Sequence, residues 1–376
     1  MSKKKVPELR FKGFTEDWEQ RKLTDVANYR NGKAHEQDID KEGQYIVVNS
    51  KFVSTNGLVK KYSNVLIEPL QAGEIAFVLS DVPNGKAIAR TFLINENNKY
   101  SLNQRIAGIT PHTKADSYFL SILMNRNNYF LKYDNGVGQT NLSKHEVENF
   151  TEHYPVYEEQ VKIGSFFKQV DDTIALHQYK LEKLKQLKEG YLQVMFPQNG
   201  ETLPRLRFAN FSADWEQHKF KDFLKVKSGR DYKHLGLGKI PVYGTGGYML
   251  SVDDKLSDQD AIGIGRKGTI DKPQYLIAPF WTVDTLFFMT PQSNFDLFFL
   301  YSLTQKINWK KLDESTGVPS LSKSVIENVQ QNIPSHQEQI KIGELFKQLD
   351  NTISLQQEKI INLQNIKKYY LQKLFV

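Results

Sequence analysis

In the second half of the chain, Gly263-Ile-Gly-Arg-Lys-Gly-Thr269 sets two cations and a hydroxyl among three glycines, and the pattern has two chemical readings. As Gly-x-Gly-x-x-Gly it could cradle a pyrophosphate, but a dinucleotide turn must run directly into a helix. Asp271-Lys-Pro273 and Ile277-Ala-Pro279 follow and break helices, so that reading fails. As a turn carrying Arg266, Lys267 and Thr269 it could approach nucleic acid closely. Backbone amides, Lys and Arg would then fix phosphates, while Arg, Asn and Gln read base edges. Tyr243, Thr245 and Tyr248 lie in a second glycine-rich turn, Tyr243-Gly-Thr-Gly-Gly-Tyr248, with Arg230 ahead of it. The first half offers Lys51, Lys60, Lys61, Asn84, Lys86, Asn103, Gln104 and Arg105, then Gln139, Asn141 and Lys144; Lys323 matches Lys144. Each cluster alone also fits an ordinary polar hairpin turn.

Bond-making chemistry has no comparable signal. The Gly-Lys pairs at Gly32, Gly85 and Gly238 are followed by Ala, Ala and Ile, so none completes a P-loop. No Asn-Pro-Pro-Tyr motif of an adenine methyltransferase occurs, the eight histidines are scattered, and no carboxylate cluster suggests a nuclease. With no cysteine, thiolate metal sites and cysteine nucleophiles are excluded. The expectation is a protein with no catalytic residues, no metal and no cofactor of its own. Fifty Lys and Arg against 43 Asp and Glu give a net charge of +7, a first requirement for binding a phosphate backbone. No stretch reaches membrane-span length and no apolar leader opens the sequence, so a cytoplasmic location is expected.

These turns sit inside a repeat. Residues 6–26 and 203–223 are identical at 11 of 21 positions, including Asp17-Trp18-Glu19-Gln20 and Asp214-Trp215-Glu216-Gln217. Residues 154–196 and 333–375 are identical at 21 of 43 at a constant offset of 179, each copy opening on Pro-x-x-x-Glu-Gln-x-Lys-Ile-Gly. Between these landmarks the chain diverges, apart from short matches such as Leu142-Ser143-Lys144 with Leu321-Ser322-Lys323. A scaffold that repeats while its inserts differ suggests two readers of different content in equivalent positions.

Positions Ile163, Phe167, Val170, Ile174, His177, Leu181, Leu184, Lys188, Tyr191 and Met195 follow an unbroken 4,3 alternation. The second copy gives Ile342, Phe346, Leu349, Ile353, Gln356, Ile360, Leu363, Lys367, Tyr370 and Leu374, with polar residues at the same steps. That is a coiled-coil seam, and two rods of about 57 Å at 1.5 Å per residue joined through a whole domain most simply lie antiparallel. The inserts read as α+β. Strands are expected at Gln44–Val53, Glu74–Ser80, Lys86–Ile94 and Arg105–Thr110, with a helix over Asp116–Tyr129. In the second they are expected at Ile240–Met249, Ala261–Arg266, Gln274–Ile277 and Trp281–Thr290, with a helix over Phe295–Ile307.

The RFxxFxxDWEQ-type openings, the Leu-Ser-Lys segments before each helix and the Pro-x-x-x-Glu-Gln-x-x-Ile-Gly signatures resemble the specificity subunits of Type I restriction-modification systems. Ile264-Gly-Arg-Lys-Gly-Thr-Ile followed by Phe280-Trp-Thr-Val-Asp-Thr-Leu is similar to one class of their target-recognition domains. The resemblance implies an α+β pseudo-two-fold chain: target-recognition domains at 1–153 and 203–332, conserved helical regions at 154–196 and 333–376, and a linker at 197–202. It implies that each domain reads one half of a bipartite, asymmetric site in double-stranded DNA. It further implies that two methylation subunits dock on the helices, that restriction subunits join them, and that S-adenosylmethionine, ATP and Mg are used by those partners. The first insert lacks the Arg-Lys-Gly-Thr segment and is expected in a different recognition class. The other reading open at this point is a two-domain DNA-binding adaptor outside restriction and modification.

Overall fold

Ile75–Val78, Ile-Ala-Phe-Val, is apolar at every position because it lies mid-sheet with both faces covered. Ile75 and Phe77 point into one hydrophobic cluster, and Ala76 and Val78 into another. The computed structural model describes residues 6–35, 37–83, 85–198 and 200–376. The chain divides into two compact units, Met1–Leu176 with Ile360–Val376, and His177–Lys359.

In the first unit, the antiparallel sheet runs in the order Ala27–Asn31, Ile106–Pro111, Ile75–Val78, Thr91–Leu93. A smaller sheet places Tyr45–Val48 between Tyr62–Ser63, antiparallel, and Tyr100–Leu102, parallel. The second unit repeats this topology. Its large sheet orders Leu224–Ser228, Leu286–Pro291, Ala261–Gly265 and Gln274–Leu276. Its small sheet places Leu237–Gly244 between Gly247–Val252 and the parallel Trp281–Thr282. The chain is thus α+β, and two inserts with little shared sequence have one fold.

The expected elements differ from these at identifiable residues. The strand from Gln44 stops at Val48 because the Asn49 side chain accepts the Phe52 amide at 2.9 Å and caps a short helix, Ser50–Ser54. The strand expected over Ile240–Met249 is a hairpin that turns at Thr245-Gly246 and re-enters the sheet at Gly247, whose φ of +111° requires glycine. Within Lys86–Ile94 only Thr91–Leu93 is strand. The helix from Asp116 is Ser117–Met124, then Asn128–Leu131, interrupted at Arg126 with φ +56°. Trp281–Thr290 splits at Val283–Thr285.

The repeated motifs lock each insert to its long helix. The strand Glu19–Lys22 pairs antiparallel with Thr151–Tyr154, and Glu216–Lys219 with Gln330–Ile333. Trp18 and Trp215, beside these strands, are buried. Arg10 grips Glu159 through two bonds of 2.8 and 2.7 Å, and Arg207 grips Glu338 at 2.6 and 2.8 Å. Gln160 accepts the Asp116 amide at 3.1 Å and donates to the Pro155 carbonyl at 2.9 Å; Gln339 does the same with Asp296 and Pro334, at 3.0 and 2.9 Å. A Cβ on Gly164 would lie 2.2 Å from Asp116 Oδ1, and one on Gly343 2.2 Å from Asp296 Oδ1. Those carboxylates cap the helices Ser117–Met124 and Leu297–Lys306, and burial pushes both up from the usual carboxylate range. The repeated Glu, Gln and Gly of Pro-x-x-x-Glu-Gln-x-Lys-Ile-Gly therefore each have a partner in this lock.

The two long helices, Tyr157–Val194 and His336–Lys373, bury or half-bury every seam position from Ile163 to Met195 and from Ile342 to Leu374. They pair antiparallel within each unit. In the first, Phe166 packs edge-on to Tyr370 with centroids 5.0 Å apart, and Lys367 meets Asp171 at 2.6 Å. In the second, His177 meets Gln356 at 2.7 Å, and Lys188 meets Asp350.

Candidate nucleic-acid interface

In the second unit Arg266 and Lys267 leave the end of the buried strand Ala261–Gly265. The Arg266 amide donates to the Thr285 carbonyl at 2.8 Å, and its own carbonyl accepts the Leu321 amide at 2.9 Å. The turn is folded tightly enough that a Cβ on Gly265 would lie 2.0 Å from the Thr269 carbonyl, while Gly268 adopts φ +92°. Its backbone is fixed and its cations are left outside: Arg266 and Lys267 are exposed, with the Arg266 guanidinium 5.7 Å from the Phe287 ring centre. Thr269 is half-buried.

Lys267 forms a bridge with Ser320, and the Gly268 amide reaches the Pro319 carbonyl at 2.8 Å. That wall is organised by Asp313, which accepts the Ser315 and Ser320 amides at 3.0 Å and the Ser315 hydroxyl at 2.8 Å. The Ser320 amide, then the Ser315 hydroxyl and amide, hold the Asp313 carboxyl below its usual range. The Tyr243–Tyr248 turn is tied in by Gln274, which donates to the Gly244 carbonyl at 2.9 Å, and by the Val283 amide on the Tyr243 carbonyl at 3.0 Å. Arg230 completes the group: its amide reaches the Thr282 carbonyl, and its carbonyl accepts the Trp281 indole N–H, both at 2.9 Å. Arg230, Tyr243, Arg266 and Lys267 thus meet around Trp281–Thr285; the exposed Tyr248 pairs with Tyr243 across the hairpin, ring centres 6.5 Å apart, and Thr245 lies in the turn between them. Lys323 opens the helix Lys323–Asn328 and pairs with Glu327 at 3.5 Å.

In the first unit the equivalent zone surrounds Leu79–Asp81. The Leu79 amide donates to the Arg105 carbonyl at 2.9 Å, and the Leu142 amide to the Leu79 carbonyl at 2.7 Å. Gln139 donates to the Ser80 hydroxyl at 2.6 Å, and Asn141 pairs with Ser80. Asn103, Gln104 and Arg105 form the turn into the strand Ile106–Pro111, with the Asn103 amide on the Val48 carbonyl at 3.2 Å, so Lys51 in the adjoining helix flanks them. Lys86 lies on a segment held by Asp81, whose carboxylate accepts the Ala87 and Ile88 amides at 2.6 and 3.1 Å. Lys144 opens the helix Lys144–Glu148, with its ammonium 5.9 Å from the Tyr29 ring centre. Lys60 and Lys61 stand apart on the other edge of the small sheet, where the Lys61 carbonyl accepts the Val47 amide at 2.8 Å. Asn84 lies outside the described residues.

One residue at this zone escaped the sequence reading. Lys33, in a Gly32-Lys33 pair that completes no P-loop, donates its amide to the Leu102 carbonyl at 3.1 Å, and its carbonyl accepts the Gln104 amide at 2.8 Å. Its ammonium is exposed and touches Glu68 at 2.9 Å; that contact, followed by Arg30, draws the Glu68 carboxyl below its usual range. The signal that could have found it is positional: Gly32-Lys33 and Gly229-Arg230 both end the first strand after the repeated opening.

Among the described residues no group of three or more His, Asp or Glu could hold a metal ion, and no helix is long and apolar enough to cross a membrane.

Residues 15–186 and 212–365 each match the family model of the Type I restriction modification DNA specificity domain. The chain is 22% identical over 395 residues to the MjaVIII specificity subunit of a Type I restriction enzyme from Methanocaldococcus jannaschii, covering 94% of this chain and 91% of that one. Among solved structures, a Type I restriction-modification S subunit from M. genitalium aligns over 99% of both chains with a TM-score of 0.75 at 17% identity. A chain from a structural study of complex assembly and conformational transition in the Type I system aligns over 96% of this chain and 98% of that one, with a TM-score of 0.53 at 14% identity.

Proposed function

The chain belongs to the Type I restriction modification DNA specificity family, and we propose on that premise that its two units each read one half of a bipartite, asymmetric DNA site. The observation that carries this reading is that one hydrogen-bonded frame recurs in both units and presents different side chains in each. Arg266 and Lys267 stand where the first unit has Leu79 and Ser80. Two readers with the same backbone and different surfaces suit two half-sites of different sequence.

In this reading the backbone amides and cations around Trp281–Thr285 and Leu79–Arg105 lie against duplex DNA, and the long helices dock two methylation subunits. The methyl donor belongs to those partners, and ATP and Mg to the restriction subunits that join them. This chain contributes binding, orientation and sequence choice, and the adenine leaves the duplex in the partner's pocket. The location in which this takes place is the cytoplasm.

Coexpression with methylation subunits in a host lacking adenine methylation, followed by sequencing that detects N6-methyladenine, tests the proposal. One asymmetric motif in two parts separated by an unspecified spacer is expected. A contiguous motif, or methyl transfer by this chain alone, contradicts it.

A further inference from the structure

The two units can be aligned residue by residue from their backbone hydrogen bonds, with no reliance on sequence similarity. Gly32 donates to the Ile106 carbonyl at 3.0 Å and Gly229 to that of Leu286 at 3.1 Å. A Cβ on either glycine would lie 2.0 Å from a backbone oxygen, that of Asn103 or of Val283. The next residue is Lys33 in one unit and Arg230 in the other, each with its amide on the carbonyl of the last residue of the facing strand, Leu102 of Tyr100–Leu102 or Thr282 of Trp281–Thr282. One step across the frame, Leu79 donates to Arg105 and Arg266 donates to Thr285. The frame therefore equates Lys33 with Arg230, Leu79 with Arg266, and Arg105 with Thr285.

One of these positions keeps its charge in both units, and the other pair exchanges it. The Lys33/Arg230 position is cationic twice. At the neighbouring step the guanidinium leaves from the outgoing strand in the second unit, as Arg266, and from the incoming strand in the first, as Arg105. The phosphate backbone is the same in every half-site, whereas base edges differ. A position whose charge is the same in two readers of different sequence matches the phosphates, and a position where the cation changes strands matches the bases.

We propose, resting on the reading of the chain as a two-part DNA reader, that Lys33 and Arg230 make one phosphate contact twice, once per half-site. Arg105 and Arg266 set how the half-sites differ. A second observation supports Arg105. It holds φ +66°, a conformation costly for a side chain larger than glycine, in an exposed turn where glycine would be free of strain. The turn bears that cost with an arginine whose side chain is exposed.

The test uses the full chain with methylation subunits, selection from a pool of randomised duplexes, and salt titrations on one fixed duplex. Lys33→Gln and Arg230→Gln should each leave the selected sequence unchanged and reduce the slope of log affinity against log salt by about 0.9. Lys33→Arg should restore the slope, which separates charge from folding, and thermal melting checks that each variant is intact. Arg105→Gly should keep or raise the melting temperature while relaxing base preference in one half-site, and Arg266→Ala should relax the other. Altered base preference with an unchanged slope in Lys33→Gln, or unchanged preference in Arg105→Gly, overturns the assignment while leaving the two-part reading intact. If the unaltered chain selects no two-part sequence, that reading fails, and this assignment fails with it.

Discussion

His177 Nδ1 donates to Gln356 Oε1 across 2.7 Å, and the two residues occupy the same position in the two copies of the long helix. In the antiparallel pairing of the second unit, a residue thus faces its own counterpart. His177 is buried there and Gln356 half-buried, so the bond satisfies polar groups that the seam would otherwise strand.

Removing one partner should therefore cost more than removing both. Gln356→Leu leaves the His177 N–H without an acceptor, at about 1–3 kcal/mol. His177→Leu with Gln356→Leu should recover most of that loss and weaken the choice of register, because polar seam residues set register at some cost in stability. Urea unfolding of the two singles and the double gives the coupling. Additive losses would show that the bond does not contribute.

The Arg10–Glu159 pair has a fully buried carboxylate. Arg10→Leu strands that charge and should destabilise the first unit by about 3–5 kcal/mol, while Arg10→Leu with Glu159→Leu should cost much less. Arg207 and Glu338 should behave identically in the second unit. Calorimetry that follows the melting of both units checks the prediction, and an Arg10→Leu variant as stable as the parent would refute it.

Glu68 gives a pH signature. Lys33 and Arg30 lower its folded-state pKa, so its contribution to stability is present above the unfolded carboxylate value and is lost as pH falls through the folded one. Glu68→Gln should therefore destabilise at pH 7, by about 1 kcal/mol for a partly exposed pair. The gap to the parent should close toward acid, as followed by melting temperature across the acid range. A gap that widens on acidification would give the wrong sign.

The sequence made the repeat, the seam and the α+β inserts legible because each leaves a periodic or literal signature. Phe167, Ile174 and Phe346 follow a heptad, and Trp18 and Trp215 sit in matching words. The pairing of Glu19–Lys22 with Thr151–Tyr154 was not legible, since Glu-Gln-Arg-Lys has no apolar alternation and its partner is over a hundred residues away. Nor was the equivalence of Lys33 with Arg230, which rests on backbone hydrogen bonds that any side chains can accompany. The candidate site was legible as turn chemistry in the second insert, where glycines mark it. In the first insert Leu79 and Ser80 hold the same places without any glycine between them.

The last prediction concerns residues 1 to 196 alone. In the full chain the core of the first unit is completed by Tyr370, Leu371, Leu374 and Phe375 from the second long helix. The fragment lacks them, but the first helix carries Tyr191, Leu192, Met195 and Phe196 at the corresponding positions, three identical and one a leucine-to-methionine change. In the second unit these four already pack into an equivalent core. The polar contacts are also interchangeable, because Lys188 with Asp350 and Lys367 with Asp171 are the same pair at the 179-residue offset. In a dimer of fragments, Lys188 of each copy can meet Asp171 of the other. The fragment should therefore form a C2 dimer, with residues 181–196 of each copy filling the place of 360–375 in its partner. Such a dimer presents one reader twice, so its methylation target with added partner subunits should become an inverted repeat of a single half-site. Sedimentation equilibrium and methylation mapping check both statements. A folded monomer, or a dimer that still prefers the asymmetric site, would show that helix pairing does not set the two-fold plan.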